Sequence, residues 1–280
     1  MSSHTFHNTH SNSYDRMASG GSLSIAQQAI AMLPVPITNS SYILDNACGT
    51  GIVSEVIKAQ CPSARIMGAD LAPGMLEIYK SKAKQYGWNN IETKVQDVRN
   101  LNEIQDETFT HVITNMGFAP NVDDLTGPGK AAKEMWRVLK PGGVAIVTTW
   151  YQRNFEKALE ATAKTIRPDE EPFTWKAPAE WGKGWWLMKM LDEGGFDAKV
   201  EVKLVEGGMQ AKSLDELVGN LMFFKDMFFK SYNEEEVKRL PEVIRNEISR
   251  SPGYYENEDV VGVRMIAWIG IAIKEGGSDC

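Results

Sequence analysis

Basic residues are in the minority in this chain of 280: 30 Lys and Arg stand against 37 Asp and Glu, a formal net charge of −7. No stripe of Lys and Arg interleaved with aromatics occurs, so the positive footprint that grips phosphate backbones is missing and nucleic acids are not expected partners. Cysteine is scarce too. Cys48, Cys61 and Cys280 are widely spaced and form neither a disulfide framework nor a metal-ligand pattern. Of the 4 histidines, His4, His7 and His10 sit in a polar start without acidic or cysteine partners, so no metal site is expected, and His111 falls in an apolar stretch. No apolar run approaches the ~20 residues of a membrane span, and the first dozen residues lack the basic start and apolar core of a signal peptide. A cytoplasmic protein without membrane association is the expectation.

Against these absences stands one dense signal. Ile43 and Leu44 end an apolar run at Asp45, and Asn46-Ala47-Cys48-Gly49-Thr50-Gly51 follows as a small, glycine-rich turn. Gly49 and Gly51 can take positive φ and let backbone approach a ligand with no Cβ in the way. Ile52, Val53, Val56 and Ile57 then repeat at helical spacing, so the turn delivers free backbone N–H groups at a helix N-terminus. A dinucleotide fingerprint wants a third glycine three residues after the second; that place is Ser54, which disfavours NAD.

More acids arrive in order. Residues 64–69 read as a strand closed by Asp70, which lies 25 positions after Asp45 and 19 after Gly51. A carboxylate there can accept hydrogen bonds from both hydroxyls of a ribose. Residues 91–96 alternate as a further strand followed by Asp97 and Val98, residues 109–115 read as a fourth strand ending at Asn115, and Lys140-Pro141-Gly142-Gly143 precedes a fifth at 144–149.

This series over residues 41–150 resembles the class I S-adenosylmethionine-dependent methyltransferases. The resemblance implies an α/β fold, a doubly wound, seven-stranded and mostly parallel Rossmann-like sheet, with S-adenosylmethionine as cofactor and S-adenosylhomocysteine as product. It places Asp45 near the methionine part, Ala47, Gly49 and Gly51 in the cofactor loop, Asp70 at the ribose with Leu71 following it as a cofactor-binding residue, Asp97 and Val98 at the adenine, and Asn115, also cofactor-binding, at the end of strand four. Ala47 stands where the family has the first of three glycines, and is expected there with negative φ. Asn12-Ser13-Tyr14-Asp15-Arg16-Met17 is similar to the Tyr-Asp segment that folds over the methionine end in many small-molecule methyltransferases, which makes Tyr14, with Met17 as a further candidate, a cofactor contact. The same tyrosine also fits a surface arm.

Around this core we expect an N-terminal arm at 1–20 and one methyltransferase domain at 21–280, with cap insertions at about 152–190 and 210–257. A helix is expected over 22–33, capped by Ser22 or Ser24 and stopped by Pro34 and Pro36. Large rings crowd the first insertion, and a helical stretch from Leu214 to Phe229 carries more apolar surface than one helix stripe requires. Trp175, Trp181, Trp185, Phe224 and Phe228 are therefore expected to shape an apolar substrate pocket, although core packing or a dimer contact explains any single one of them. The oligomeric expectation is a monomer or weak homodimer.

Few general bases are present, and His111 is a weak candidate for one. A thiol, already partly ionised at neutral pH, needs less help than a phenol or an alcohol. S-methylation of a small-molecule thiol or dithiol therefore ranks first, and O- or N-methylation of a phenolic or amine metabolite second. A cofactor-binding regulatory subunit without activity is the remaining alternative. The Asn115-Met116-Gly117-Phe118 string resembles the Asn-Pro-Pro-Phe motif of amino-group methyltransferases but lacks both prolines. In length and layout the chain is similar to fungal methyltransferases of secondary metabolism, the gliotoxin-type bis-thiomethyltransferases among them.

Overall fold

The computed structural model describes residues 14–15, 20–118, 124–196 and 200–276. Its centre is a sheet of strands β1 (Tyr42–Asn46), β2 (Arg65–Asp70), β3 (Ile91–Val95), β4 (Phe109–Asn115), β5 (Leu139–Arg153), β6 (Val200–Ala211), β7 (Tyr254–Glu256) and β8 (Val261–Ile273). The order is β3-β2-β1-β4-β5-β8-β6, with β7 paired to β8. Strands β1 to β5 run parallel, and β8 runs antiparallel to both β5 and β6. The doubly wound sheet is thus as expected, with one short strand more than seven.

Alternation along the central strands fills two layers. Ile43, Ile113 and Ile146 face one side with Ile25 and Ala29 of helix α1 (Gly21–Ala31) and Val53 and Ile57 of α2 (Ile52–Gln60). Their neighbours Leu44, Val112 and Val147 face the other, against Met135 of α4 (Gly127–Val138) and Leu187 and Leu191 of α6 (Gly184–Glu193). Helix α3 (Pro73–Gln85) brings Leu76 and Tyr79 onto Cys48. Such runs of side chains that are apolar on both faces are what a sheet covered by helices on both sides demands.

A second core stands where β6 and β8 extend beyond the parallel strands. Met209, Val263 and Met265 pack there with α5 (Asn154–Ile166), α7 (Leu214–Leu221), the short turn at Met222–Phe224, α8 (Lys225–Phe228) and α9 (Glu234–Arg250). Asn233 caps α9 in a reciprocal box with Glu236.

Three details depart from the sequence reading. Helix α1 starts after Gly20, whose φ is 76°, rather than after a serine cap, and Ser22 is buried inside it. The 152–190 insertion is not all cap, because α6 packs on the sheet through Trp186, Leu187, Met190 and Leu191. That stripe leaves Trp185 on the outer face, 54% exposed. Trp185 is therefore turned away from the helix face that packs on the sheet, not into it as a pocket wall there.

Candidate active site

The carboxyl ends of β1, β2 and β4 meet in one cleft, the usual ligand edge of an open α/β sheet. Between β1 and α2 the backbone is left-handed at Ala47 (φ 55°), Gly49 (53°) and Gly51 (91°). Ala47 thus contradicts the expected negative φ. The turn is closed by Cys48 N–H on the Ala69 carbonyl at 2.9 Å and Gly51 N–H on the Cys48 carbonyl at 2.9 Å. The Ala47 Cβ has room because Gly117 of the neighbouring loop has none: a Cβ there would run into that of Ala47. Met116 is left-handed too, at φ 59°. Two strained non-glycine residues on facing loops mark the cleft as a place where geometry overrides local preference. At Gly51 a Cβ would strike the Tyr79 ring, so only glycine fits.

Asp45, buried at 1% exposure, accepts hydrogen bonds from Ser54 N–H (3.1 Å) and Ser54 Oγ (2.6 Å). Tyr79 in turn donates to Ser54 Oγ at 2.7 Å. The serine that stands where a dinucleotide site needs glycine is thus a clamp on the acid. Burial, helped by nearby Asp70, pushes the Asp45 carboxyl up to about 7 despite those hydrogen bonds. Burial also pushes the Cys48 thiol well above its ordinary range, which fits a small packing residue and not a nucleophile. Asp70 spans the mouth of the loop, accepting from Gly49 N–H and Ala72 N–H, each at 2.8 Å. A carboxylate has about four acceptor sites, so it retains capacity for ligand hydroxyls.

Tyr14, Ser22, Asp45, Ala47, Gly49 and Asn115 line the cavity between these elements, which measures about 30 Å³. Room for one water is not room for a nucleoside cofactor. The Tyr14 ring lies over Gly49, so cofactor entry requires that ring to move. Burial and the charges of Asp70 and Asp15 push its phenol up to about 12, so it stays neutral. Asp15 next to it ties this segment to the core by accepting from Thr50 and pairing with Lys82. The far wall is Asn115, which donates to the Ser22 carbonyl (3.2 Å) and accepts from Thr148 Oγ1 (2.7 Å). Asn46 beside it has a buried Oδ1 without a hydrogen-bond partner among the described residues. Left-handed glycines, a buried acid and the spare acceptor capacity of Asp70 fit a polar, nucleoside-like group.

Other expected residues fall elsewhere. Asp97 is held by Arg99, which donates to it from Nε and Nη2 and reaches Asp124 through Nη1, so the guanidinium keeps its carboxyl below the usual range. It does not line the cavity. Val98 packs against the core beneath, whereas Leu71 is 42% exposed next to Asp70, an apolar surface open to a ring. His111 is not a base for this site: its two nitrogens bond Thr110 Oγ1 (2.8 Å) and the Val35 carbonyl (3.0 Å). It lies four residues before Asn115 on β4, roughly 13 Å from the cleft at the rise of a strand. Burial holds its pKa below normal. Met17, His4, His7 and His10 lie outside the described residues.

The expected aromatic pocket divides. Phe224 stacks on Phe155 at 4.9 Å and Phe228 meets Phe173 edge-on at 5.0 Å, and both are buried in the second core. Trp175 and Trp181 instead flank a charge, with the Arg153 guanidinium carbon 5.2 Å from one ring centre and 5.9 Å from the other. Glu156, at the start of α5, pairs with Arg153 at 2.7 Å. Sequence reasoning passes over Arg153, Glu156, Ser22, Ser54 and Tyr79 as site residues. Only Ser54 carries a signal, as the residue in place of an expected glycine.

Comparison with known proteins places this geometry. Residues 43–143 match the family model described as a methyltransferase domain. The chain is 31% identical over 130 residues to the methyltransferase tpcH of Aspergillus fumigatus, 44% of each chain, and 29% identical over 171 residues to the methyltransferase ucsB of an Acremonium species, 56% of this chain and 58% of that one. It thus spans about half the length of these fungal relatives. A demethylmenaquinone methyltransferase of Staphylococcus haemolyticus is 27% identical over 229 residues, 75% of this chain and 92% of that one. Among solved structures, a putative methyltransferase of Bacillus halodurans superposes with a TM-score of 0.54 at 19% identity, covering 90% of this chain and 98% of that one. A phosphoethanolamine N-methyltransferase of Haemonchus contortus, in complex with S-adenosylhomocysteine, superposes with 0.54 at 15% identity, covering 96% and 57%. These two likenesses establish the fold.

Proposed function

We propose that this protein transfers a methyl group from S-adenosylmethionine to a small, ring-bearing metabolite of secondary metabolism, a reading supported by the match of residues 43–143 to a methyltransferase-domain family model. The cofactor supplies an electrophilic methyl on a sulfonium, which leaves the chain to bind, orient and exclude water. In this reading Asp45, Gly49 and Gly51 hold the methionine end, Asp70 the ribose, Leu71 the face of the adenine, and Tyr14 and Asn115 close the cleft. Asp97 remains a candidate for the adenine amino group, on condition that its Arg99 pair rearranges. The observation that carries the reading is the clamped, buried Asp45 facing a left-handed glycine turn whose Gly49 N–H is bound to Asp70.

The fungal methyltransferase relatives support a secondary metabolite as acceptor. Poverty of bases in the cleft favours a thiol or dithiol acceptor, now that His111 is accounted for as a packing residue. One observation favours a second reading, a hydroxyl acceptor: Glu156 brings a buried carboxyl among the rings at the same sheet edge. Calorimetric titration with S-adenosylmethionine, then a mass-spectrometric screen of dithiol, phenol and amine metabolites, tests both. Micromolar binding with a gain of one CH2 unit on a thiol supports the first reading, and the same gain on a phenol the second. Binding without any transfer supports a regulatory subunit, and no binding removes the proposal.

A further inference from the structure

Among the described residues, four buried side-chain polar atoms have no hydrogen-bond partner: Asn46 Oδ1, Thr149 Oγ1, Glu156 Oε1 and Trp181 Nε1. Native proteins leave few such groups, and each calls for an explanation. Asn46 is fully buried at the end of β1, where its amide donates to Thr114 Oγ1. Glu156 and Trp181 converge on a second point, the guanidinium of Arg153 at the end of β5.

The side chains of Arg153 and Glu156 are only 19% and 20% exposed, so both charges have lost most of their water. Their separation of 2.7 Å is close, yet Glu156 Oε1 lies off the line of the N–H bonds and accepts no hydrogen bond. Nor does the guanidinium donate a hydrogen bond to any described residue; its other neighbours are the faces of Trp175 and Trp181. A buried ion pair is stable only when its remaining donors and acceptors are satisfied. Here desolvation outweighs mutual attraction for both partners, pushing Glu156 up to about 7 and Arg153 down from its ordinary value. As a structural element the pair is therefore poor. Its unmatched acceptor, Glu156 Oε1, stands beside the guanidinium that the two indole rings flank.

We propose that Arg153, Glu156 and Trp181, roofed by Trp175, bind a ring-borne hydroxyl of the methyl acceptor. A hydroxyl requires one acceptor for its hydrogen and offers lone pairs to donors. Glu156 Oε1 is the unmatched acceptor and Trp181 Nε1–H the unmatched donor, and the Arg153 guanidinium, a second source of N–H groups, stands beside both. A carboxylate fits worse, since it brings a second negative charge beside Glu156. An apolar ring alone leaves all these groups unsatisfied. The flat face of Trp175 suits an aromatic or enolic ring stacked beside the guanidinium. This inference rests on the methyl-transfer reading and specifies the acceptor that reading leaves open.

The test uses the full chain saturated with S-adenosylhomocysteine and equilibrium dialysis of three flat probes: 2-naphthol, naphthalene and 2-naphthoate. Wild type should bind 2-naphthol at least tenfold tighter than naphthalene, with 2-naphthoate weaker than 2-naphthol. Trp181→Phe keeps the ring and deletes only the orphaned N–H; it should lose threefold or more for 2-naphthol, leave naphthalene unchanged and leave thermal stability undiminished. Arg153→Gln should bring 2-naphthol within twofold of naphthalene. Equal binding of 2-naphthol and naphthalene by wild type overturns the proposal, as does preference for 2-naphthoate, unchanged discrimination in Trp181→Phe, or no binding of any probe. Failure to bind S-adenosylhomocysteine in the prior titration instead defeats the methyl-transfer reading itself.

Discussion

Asp45→Asn should make the protein more stable above neutral pH and less able to hold its cofactor. The wild-type carboxyl is 1% exposed, and its hydrogen bonds come from Ser54 alone. Burial raises it from 3.8 to about 7. A folded-state pKa above the unfolded value means that the folded chain holds the proton more tightly. Stability from this group is thus full below about pH 4 and is lost as pH rises through about 7. At about 1.4 kcal/mol per pH step, the loss reaches roughly 4 kcal/mol by pH 8. Asparagine has the same shape, and its carbonyl can accept from Ser54 N–H and Oγ, so the variant avoids that loss. Urea unfolding of both proteins at pH 4.5 and pH 8.5 reads the effect. The stabilities should be nearly equal at the lower pH, with Asp45→Asn ahead by about 2 to 4 kcal/mol at the higher, roughly 5 to 15 °C in Tm for a chain of this size. The difference between the two proteins isolates Asp45, because Glu156, also raised to about 7, titrates in both. Loss of the carboxylate should weaken S-adenosylmethionine at least tenfold at pH 8.5. A stability difference that does not change with pH, or cofactor affinity unchanged in the variant, refutes the reasoning.

Ala47→Gly relieves a left-handed alanine worth about 1 to 2 kcal/mol and adds unfolded-state freedom worth about 0.4 to 1 kcal/mol. Thermal unfolding should show a change between zero and about 1.6 kcal/mol in favour of the variant, and a clear destabilisation refutes the assigned backbone. His111→Gln should leave turnover within about twofold while lowering stability by about 1 kcal/mol for each buried hydrogen bond lost; a large drop in kcat with an unchanged fold would restore His111 as a base. Tyr79→Phe removes the donor to Ser54 Oγ, and since it leaves the Ser54 bonds to Asp45 in place, calorimetry should show a loss of cofactor affinity below tenfold, much less than for Asp45→Asn.

Strands β1, β2 and β4 of the parallel half are legible in the sequence because they are short, largely apolar and closed by polar residues. Asp45, Asp70 and Asn115 stand at the ends of β1, β2 and β4, where residue order alone puts them. Ligand-side chemistry is less legible wherever it depends on tertiary packing. Whether Ala47 is left-handed is decided by the missing Cβ of Gly117, 70 residues away in sequence. The outward turn of Trp185 follows from competition with Trp186 and Leu187 for one helix face, which a count of aromatics does not weigh. Phe224 and Phe228 resemble pocket walls in the sequence because of an apolar excess that the second core absorbs. Arg153 and Glu156 carry no motif at all. Their meaning comes from burial and from unmatched hydrogen bonds, and neither is written in the local sequence.

The central claim is that Asp70 and the turn from Asp45 to Gly51 hold the cofactor, and a crystal structure of the S-adenosylhomocysteine complex tests it most directly. The account predicts both ribose hydroxyls within hydrogen-bond distance of Asp70, the amino-acid end against the turn beside Asp45, and the Tyr14 ring displaced from its place over Gly49. A nucleoside bound away from the ends of β1 and β2, with Asp70 touching only Gly49 and Ala72, would contradict it.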